Sequence, residues 1–256
     1  MSFARSGLVL GAQGLERLAG ARVAVVGLGA VGGFAAEALA RSGVGSLLLV
    51  DADVVTPTNL NRQLLALTST MGRPKAEVAR DRVLDINPHC RVDARVLRVD
   101  ASNAAELLDP LPDALVDAID DLGGKEELLL AARDARVPLV VAAMGAATRL
   151  DHAHVSVADL AATTTCPLAR LLRRRLRLRG LTTGVRCVFS TEPPRNTGMS
   201  SKARDDAAAS PVDGIERGRG LTPMGSLPFA TAVFGLVAAR EVVLTLAGRR
   251  DLLDEA

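Results

Sequence analysis

Gly27-Leu28-Gly29-Ala30-Val31-Gly32 is the first stretch of the chain whose residue types and spacing could do chemistry. It follows the apolar run Arg22–Val26 and precedes an Ala- and Leu-rich segment with helical spacing. In a strand–turn–helix setting, Gly27 permits a tight turn, Gly29 lets the backbone approach a phosphate, and Gly32 lets helix pack closely on strand. The helix N-terminus adds unpaired N–H groups and the positive end of its dipole, so the stretch reads as an anion cradle. Asp51 follows Gly27 by 24 residues, at the end of a second apolar run. That is the place for a carboxylate on a ribose hydroxyl.

The stretch that begins there, Asp51-Ala52-Asp53-Val54-Val55-Thr56-Pro57-Thr58-Asn59-Leu60-Asn61-Arg62-Gln63, bears on which nucleotide is meant. A nicotinamide site has no evident use for a polar loop ending in Arg62, nor for Lys75 shortly after it. A triphosphate has a use for both: an Arg fork grips terminal phosphate oxygens and a Lys neutralises charge on an inner one. Asp120 closes a predicted strand at the edge where ligands bind in open α/β sheets, and a carboxylate there can hold Mg²⁺ beside phosphates. Each residue also has a plain structural use: Asn59 as a turn residue, Arg62 in a surface ion pair, Asp120 as a helix cap. Their joint occurrence, in order and at strand ends, favours the nucleotide.

The elements that must position these residues alternate. Strands are predicted at 22–26, 46–50, 91–99, 115–119 and 138–143, and helices at 30–41, 74–86 and 125–135. Alternation of this kind means an α/β fold, a Rossmann-like doubly wound and mainly parallel sheet. After about residue 150 the pattern changes to a smaller C-terminal extension of strands and helices. Strands are expected at 152–157 and 185–190, a very basic helix at 168–179, and an apolar closing helix at 225–248. The period-free stretch 192–220, rich in Pro, Gly, Ser, Arg and Asp, reads as a mobile loop. We read residues 1–256 as one domain, with a nucleotide-binding half to residue 150 and a substrate and dimer half beyond it.

Composition narrows the function. With 256 residues, 48% apolar and 23% charged, the chain is globular. A net charge of +2 excludes a chain-wide basic field, though not a local patch. Trp and Tyr are absent and Phe numbers five, which removes the usual platform for stacking single-stranded bases. Cys90, Cys166 and Cys187 form no Cys-x-x-Cys, which argues against a zinc ribbon and suits a reducing, cytoplasmic compartment. Cys90 and Cys187 read as structural, and Cys166 as the most exposed of the three. No secretory leader is visible in the first twenty residues. Arg240 and Glu241 interrupt the closing apolar segment, so it is expected to be a buried helix with no stable membrane insertion. His152 and His154, expected on one strand, lack a third ligand and are read as surface residues.

The motifs GLGAVG, DADVVTPTNLNRQ, GRPKAEV, INPHCRV and VDAIDD resemble, over roughly the first 150 residues, the ubiquitin-activating-type (ThiF/MoeB/HesA-like) adenylating family. Its bacterial members activate carboxylates with ATP. The resemblance implies that Asp51 binds ribose, that Asn59 and Arg62 bind phosphates, that Lys75 contacts the phosphate chain, and that Asp120 positions Mg²⁺. Asp53, Gln63 and Asp121 fall in the same motifs and are carried over as nucleotide-binding positions.

The remainder, with Pro167-Leu168-Ala169-Arg170, Ser190-Thr191-Glu192-Pro193-Pro194 and Gly225-Ser226-Leu227-Pro228-Phe229, is similar to the threonylcarbamoyladenosine dehydratase branch, which acts on tRNA beside the anticodon. By that resemblance Arg5, followed by the hydroxyl residue Ser6, reaches the nucleotide of a neighbouring subunit, so a homodimer is implied. A sulfur-transfer protein partner is left open. Three departures stand out. Cys166 occupies a position where Asp is common, Gly123-Gly124 replace a common Arg-Pro, and no cysteine precedes the closing helix. Arg170, Arg173, Arg174 and Arg177 share one predicted helix face, which suits tRNA phosphates. No acid lies between Cys166 and Thr191 to pair with them locally. The competing reading, adenylation of the C-terminal glycine of a ubiquitin-like sulfur carrier, is weakened by the missing Cys-x-x-Cys pairs. A nicotinamide dehydrogenase or a non-catalytic scaffold fits less well still.

Overall fold

The computed structural model describes residues 3–195 and 225–254. Its strands are β1 (Arg22–Val26), β2 (Ser46–Val50), β3 (Arg91–Arg95), β4 (Ala114–Asp117), β5 (Val140–Ala143), β6 (Val155–Asp159) and β7 (Arg186–Ser190). They form one sheet in the order β3-β2-β1-β4-β5-β7-β6. Every pairing is parallel except β6 with β7. The helices are α1 (Ala4–Gly20), α2 (Gly32–Arg41), α3 (Lys75–Ile86), α4 (Ala104–Leu107), α5 (Leu122–Asp134), α6 (Pro167–Leu178), α7 (Pro228–Leu246) and α8 (Asp251–Asp254). The architecture is the expected Rossmann-like α/β fold with a smaller C-terminal extension.

The inner strands β1, β2, β4, β5 and β7 are buried on both faces, as strands must be when helices cover both sides, while the edge strands β3 and β6 are only partly covered. In β2, Leu47 and Leu49 enter a core shared with α1, α2, α3 and α7. Leu48 and Val50 enter the other, shared with α4, α5 and α6. Each such side chain contributes roughly 1.5–3 kcal/mol over leaving it exposed. The winding reverses between β1 and β4: β2 and β3 lie to one side, β5 to the other. A crevice therefore opens where the turns leaving β1 and β4 diverge, the usual ligand position in such sheets.

Several boundaries differ from expectation for identifiable reasons. Residues 152–154 form a 3₁₀ turn, not the start of a strand, because the Asp151 carboxylate accepts the Ala153 N–H at 2.9 Å. Helix α5 begins at Leu122, three residues early, because Asp121 caps it and draws Gly123 and Gly124 into its first turn. The expected mobile loop does not begin at Glu192, which is buried and accepts the N–H groups of Leu150 and Asp151 at 2.9 and 3.0 Å. Residues 196–220 of that stretch lie outside the described residues. Helix α1 has no counterpart in the sequence reading, because Gly11, at φ 75°, breaks it into two short pieces and hides the periodicity.

Helix α7 is long and apolar enough to cross a membrane by length and composition, and 44% of its apolar stretch is buried in the fold. Phe234, Ala238 and Val242 pack it into the core against α2, while Phe229 and Leu236 remain exposed. It is thus half-buried, less enclosed than the sequence reading expected.

Candidate nucleotide-binding site

The turn leaving β1 owes its shape to its glycines. Gly27 has φ 88°, and a Cβ there would stand 2.6 Å from the Ala118 carbonyl oxygen. A Cβ on Gly32 would stand 1.7 Å from the Gly27 oxygen. Gly29 is different: its nearest neighbour would be Gln63 Nε2 at 3.9 Å, so its face is open. No side chain caps the N-terminus of α2, which leaves N–H groups for an anion.

Asp51, just past β2, ties the second turn to the first. Its Oδ2 accepts the Leu28 N–H at 2.6 Å and its Oδ1 accepts the Asp53 N–H at 2.8 Å. Burial pushes its carboxyl above the ordinary range, against the opposing pull of Lys75 and these two N–H groups. Lys75 sits in the first turn of α3 with its side chain only 5% exposed, and its Nζ lies 2.9 Å from Asp53 Oδ2. Its own N–H donates to the Asp53 carbonyl at 2.9 Å.

The intervening loop holds Asn59 and Arg62. Asn59 is buried, and its Oδ1 accepts the Thr56 N–H at 3.2 Å, which serves the turn role that its sequence left open. Its carbonyl accepts the N–H groups of Arg62 and Gln63 at 3.1 and 2.8 Å. Arg62 Nη1 donates to the Thr58 carbonyl at 2.9 Å and to Asn61 Oδ1 at 2.8 Å. Asn61 in turn reaches the Ser226 carbonyl at 3.0 Å and ties the loop to the C-terminal region.

Asp120 is placed three residues beyond the end of β4, in the connection to α5, and not at a strand end as expected. It is exposed and has no side-chain partner among the described residues. The helix cap is its neighbour Asp121, whose Oδ2 accepts the Gly124 N–H at 2.8 Å. A lone open carboxylate fits Mg²⁺ of the kind that takes one or two protein oxygens and completes its shell with phosphates and water. Among the described residues there is no cluster of three or more metal-ligating side chains, so the nucleotide would have to supply the rest.

Arg5 is not brought to this group within the chain. It is exposed in the first turn of α1. The neighbouring Phe3 ring packs over Gly43, where a Cβ would meet it at 3.2 Å. Gly43 precedes β2, whereas Asp51 follows it, so Phe3 and Asp51 lie at opposite edges of the sheet.

The basic helix divides. Arg170, Arg174 and Arg177 are exposed. Arg173 is turned inward, and its Nη1 donates to the Leu160 and Thr163 carbonyls at 3.0 and 2.9 Å. The structure therefore separates it from the face it was expected to share. Acids absent from the local sequence arrive from α5: Glu126 meets Arg175 at 2.6 Å, and Glu126 and Glu127 both meet Arg179. Cys166, expected to be exposed, is buried at the N-cap of α6, as are Cys90 and Cys187 elsewhere.

Two features had no sequence signal. Asp117 and Lys125 form an ion pair at 2.9 Å with both side chains wholly buried. Arg149, past β5, is 3% exposed, and its Nε and Nη1 have no hydrogen-bond partner among the described residues. Burial holds its pKa below the usual guanidinium value.

The ThiF family profile matches residues 3–255. The tRNA threonylcarbamoyladenosine dehydratase of Bacillus subtilis is 39% identical over 247 residues, covering 95% of this chain and 94% of that protein. A crystal structure of Escherichia coli tRNA N6-threonylcarbamoyladenosine dehydratase in complex with ATP superposes with a TM-score of 0.83 at 34% identity, covering 98% of this chain and 95% of that one. The molybdopterin-synthase adenylyltransferase of E. coli is 40% identical but over only 140 residues, 54% of each chain.

Proposed function

This chain belongs to the ThiF family, and we propose that it is an ATP-dependent tRNA threonylcarbamoyladenosine dehydratase. One observation carries the choice of branch. The dehydratase relative matches nearly the whole chain, whereas the molybdopterin-synthase adenylyltransferase matches about half of it.

The chemistry follows from the substrate. A carboxylate is a poor electrophile because its leaving group would be oxide. Attack of the threonyl carboxylate oxygen on the α-phosphorus of ATP forms a P–O bond, expels pyrophosphate and leaves an acyl-adenylate. A group of the same nucleoside then attacks the acyl carbon, AMP carries away the carboxylate oxygen, and the ring closes with net loss of water. The phosphoryl charge must be met by fixed cations throughout.

In this reading the glycine turn and the α2 N-terminus receive phosphate, and Asp51, pre-oriented by Leu28 N–H, takes the ribose. Lys75 releases Asp53 to meet the phosphate chain, and Arg62 leaves the Thr58 carbonyl to grip it. Asn59 and Gln63 shape the loop beneath them. Asp120 would hold Mg²⁺, which when bound neutralises phosphate charge, and Asp121 beside it faces the nucleotide while it caps α5. Arg5 serves the nucleotide of a second copy, consistent with the position of its helix turn at the far edge of its own sheet. Arg170, Arg174 and Arg177 contact tRNA phosphates. The protein works in the cytoplasm as a homodimer.

The deciding experiment is mass spectrometry of nucleosides from tRNA bearing threonylcarbamoyladenosine, after incubation with the protein and Mg-ATP. Loss of one water from that nucleoside, only with ATP, is the expected result. An unchanged nucleoside beside a working positive control would overturn the assignment.

A further inference from the structure

We propose that the buried pair Asp117–Lys125 positions the turn that presents Asp120 and locks that turn against the glycine turn of the nucleotide cradle. The inference rests on the reading of Asp120 as the magnesium carboxylate.

Asp117 ends β4 and Lys125 is the fourth residue of α5, so the pair spans the connection 118–121 from below. Lys125 Nζ lies 2.9 Å from Asp117 Oδ2 and donates to the Asp117 carbonyl at 3.4 Å. The other carboxylate oxygen of Asp117 accepts the Ile119 N–H at 3.1 Å. At the far end, the Lys125 N–H donates to the Asp121 carbonyl at 3.1 Å. One lysine thus grips both ends of a four-residue turn, through its side chain on Asp117 and its backbone on Asp121.

The same turn touches the cradle. The Ala118 N–H donates to the Val26 carbonyl at 2.8 Å, and the Ala118 oxygen fills the space that a Cβ on Gly27 would need. A shift of the 118–121 turn would therefore move the carboxylate and disturb the phosphate turn together. An apolar pair of similar volume would join strand to helix with less desolvation. What an ion pair adds, with each partner hydrogen-bonded to the backbone at the start of the turn, is a fixed register for the Asp120 carboxylate. Asp117 and Lys125 are both fully buried, so neither touches substrate, and both act through Asp120.

The test uses the full chain. The double variant Asp117→Asn/Lys125→Met removes both charges and keeps the acceptor for Ile119. Calorimetric ATP affinity in EDTA is expected to fall several-fold, because the glycine turn loses its lock, while the melting temperature stays close to wild type. The gain in ATP affinity on adding Mg²⁺ is expected to fall at least ten-fold, as in Asp120→Ala. A folded double variant with the wild-type Mg²⁺ gain would overturn the proposal. If the double variant does not fold, Asp117→Asn alone is held to the same result. If Asp120→Ala itself keeps the Mg²⁺ gain, the Asp120 reading fails and the positioning role falls with it. Because binding is read without tRNA, that failure is distinct from failure to dehydrate the nucleoside.

Discussion

Lys75 Nζ and Asp53 Oδ2 lie 2.9 Å apart, with the lysine side chain 5% exposed and the aspartate side chain 49% exposed. The cation is therefore sheltered while its partner is loose. A phosphate can take over the lysine at little cost, since Asp53 is free to return to water. Lys75→Met is expected to lower turnover by about 100-fold or more, the scale seen when one fixed stabiliser of transition-state charge is removed. Steady-state kinetics with modified tRNA checks this, and near-wild-type turnover would remove Lys75 from the site.

The same lysine gives a pH prediction. Burial raises the Asp51 carboxyl above its ordinary 3.8, while the charge on Lys75 opposes the rise. Only the ionised form accepts ribose hydroxyls without competition from its own proton. ATP affinity should therefore weaken as pH falls, starting above the ordinary carboxylate range. In Lys75→Met the onset should move to higher pH. Calorimetric titration of ATP across the acid range reads both, and an unmoved onset would contradict the coupling.

Gly32 and Gly29 should separate folding from binding. Gly32→Ala forces a methyl to within 1.7 Å of the Gly27 oxygen, so a fall in melting temperature and loss of ATP binding are expected together. Gly29→Ala meets nothing closer than 3.9 Å, so the fold should survive while the methyl obstructs phosphate. Thermal melts with and without ATP distinguish the two. Full ATP stabilisation of Gly29→Ala would place phosphate elsewhere.

For helix α6 the salt dependence of tRNA binding is the diagnostic. Replacing Arg170, Arg174 and Arg177 with Ala should reduce the slope of log affinity against log salt by about 2–3. Replacing Arg175 and Arg179 should lower the melting temperature through the loss of Glu126 and Glu127, with little change in slope. A slope that responds to the second pair and not to the first three would reverse the assignment.

Glu192 offers a stability test. Two backbone N–H groups, from Asp151 and Leu150, and then Arg195, hold its carboxyl well down, from 4.5 to about 2. A depressed acid stabilises the fold above its unfolded pKa, and that contribution is lost as pH falls through the folded one. Glu192→Gln should thus be less stable than wild type at neutral pH. The difference should shrink between about pH 4.5 and 2. Denaturant melts at several pH values measure it, and a constant difference would exclude ionisation as the cause.

The parts of the molecule legible in sequence were those with a local signature. Apolar runs of four residues, each behind one polar residue, marked β1 and β2, because both faces of those strands are buried and nothing interrupts them. Glycine spacing gave the turn, and the order of polar residues after Asp51 gave the loop. The hidden parts depend on residues far apart in the chain. Glu126 neutralising Arg175 could not be read from α6 alone, since the acid comes from another helix. Asp117 and Lys125 carry no local mark of their pairing, because burial is a property of the packed sheet and not of either residue. Arg173 was grouped with its neighbours by helical spacing, but its side chain bends back to the 160–163 turn.

Helix α7 crosses α2 so closely that a Cβ on Gly235 would stand 2.3 Å from the Val31 carbonyl oxygen. Val31 belongs to the turn that opens α2, and Gly235 follows it by 204 residues. A ribosome making this protein would release the whole nucleotide cradle long before the helix that backs it. Until α7 emerges, the Ala-rich rear of α2 has no partner from this helix, and the cradle waits for its support. The order of synthesis thus makes the glycine turn wait about two hundred residues for the helix that braces the Val31 carbonyl.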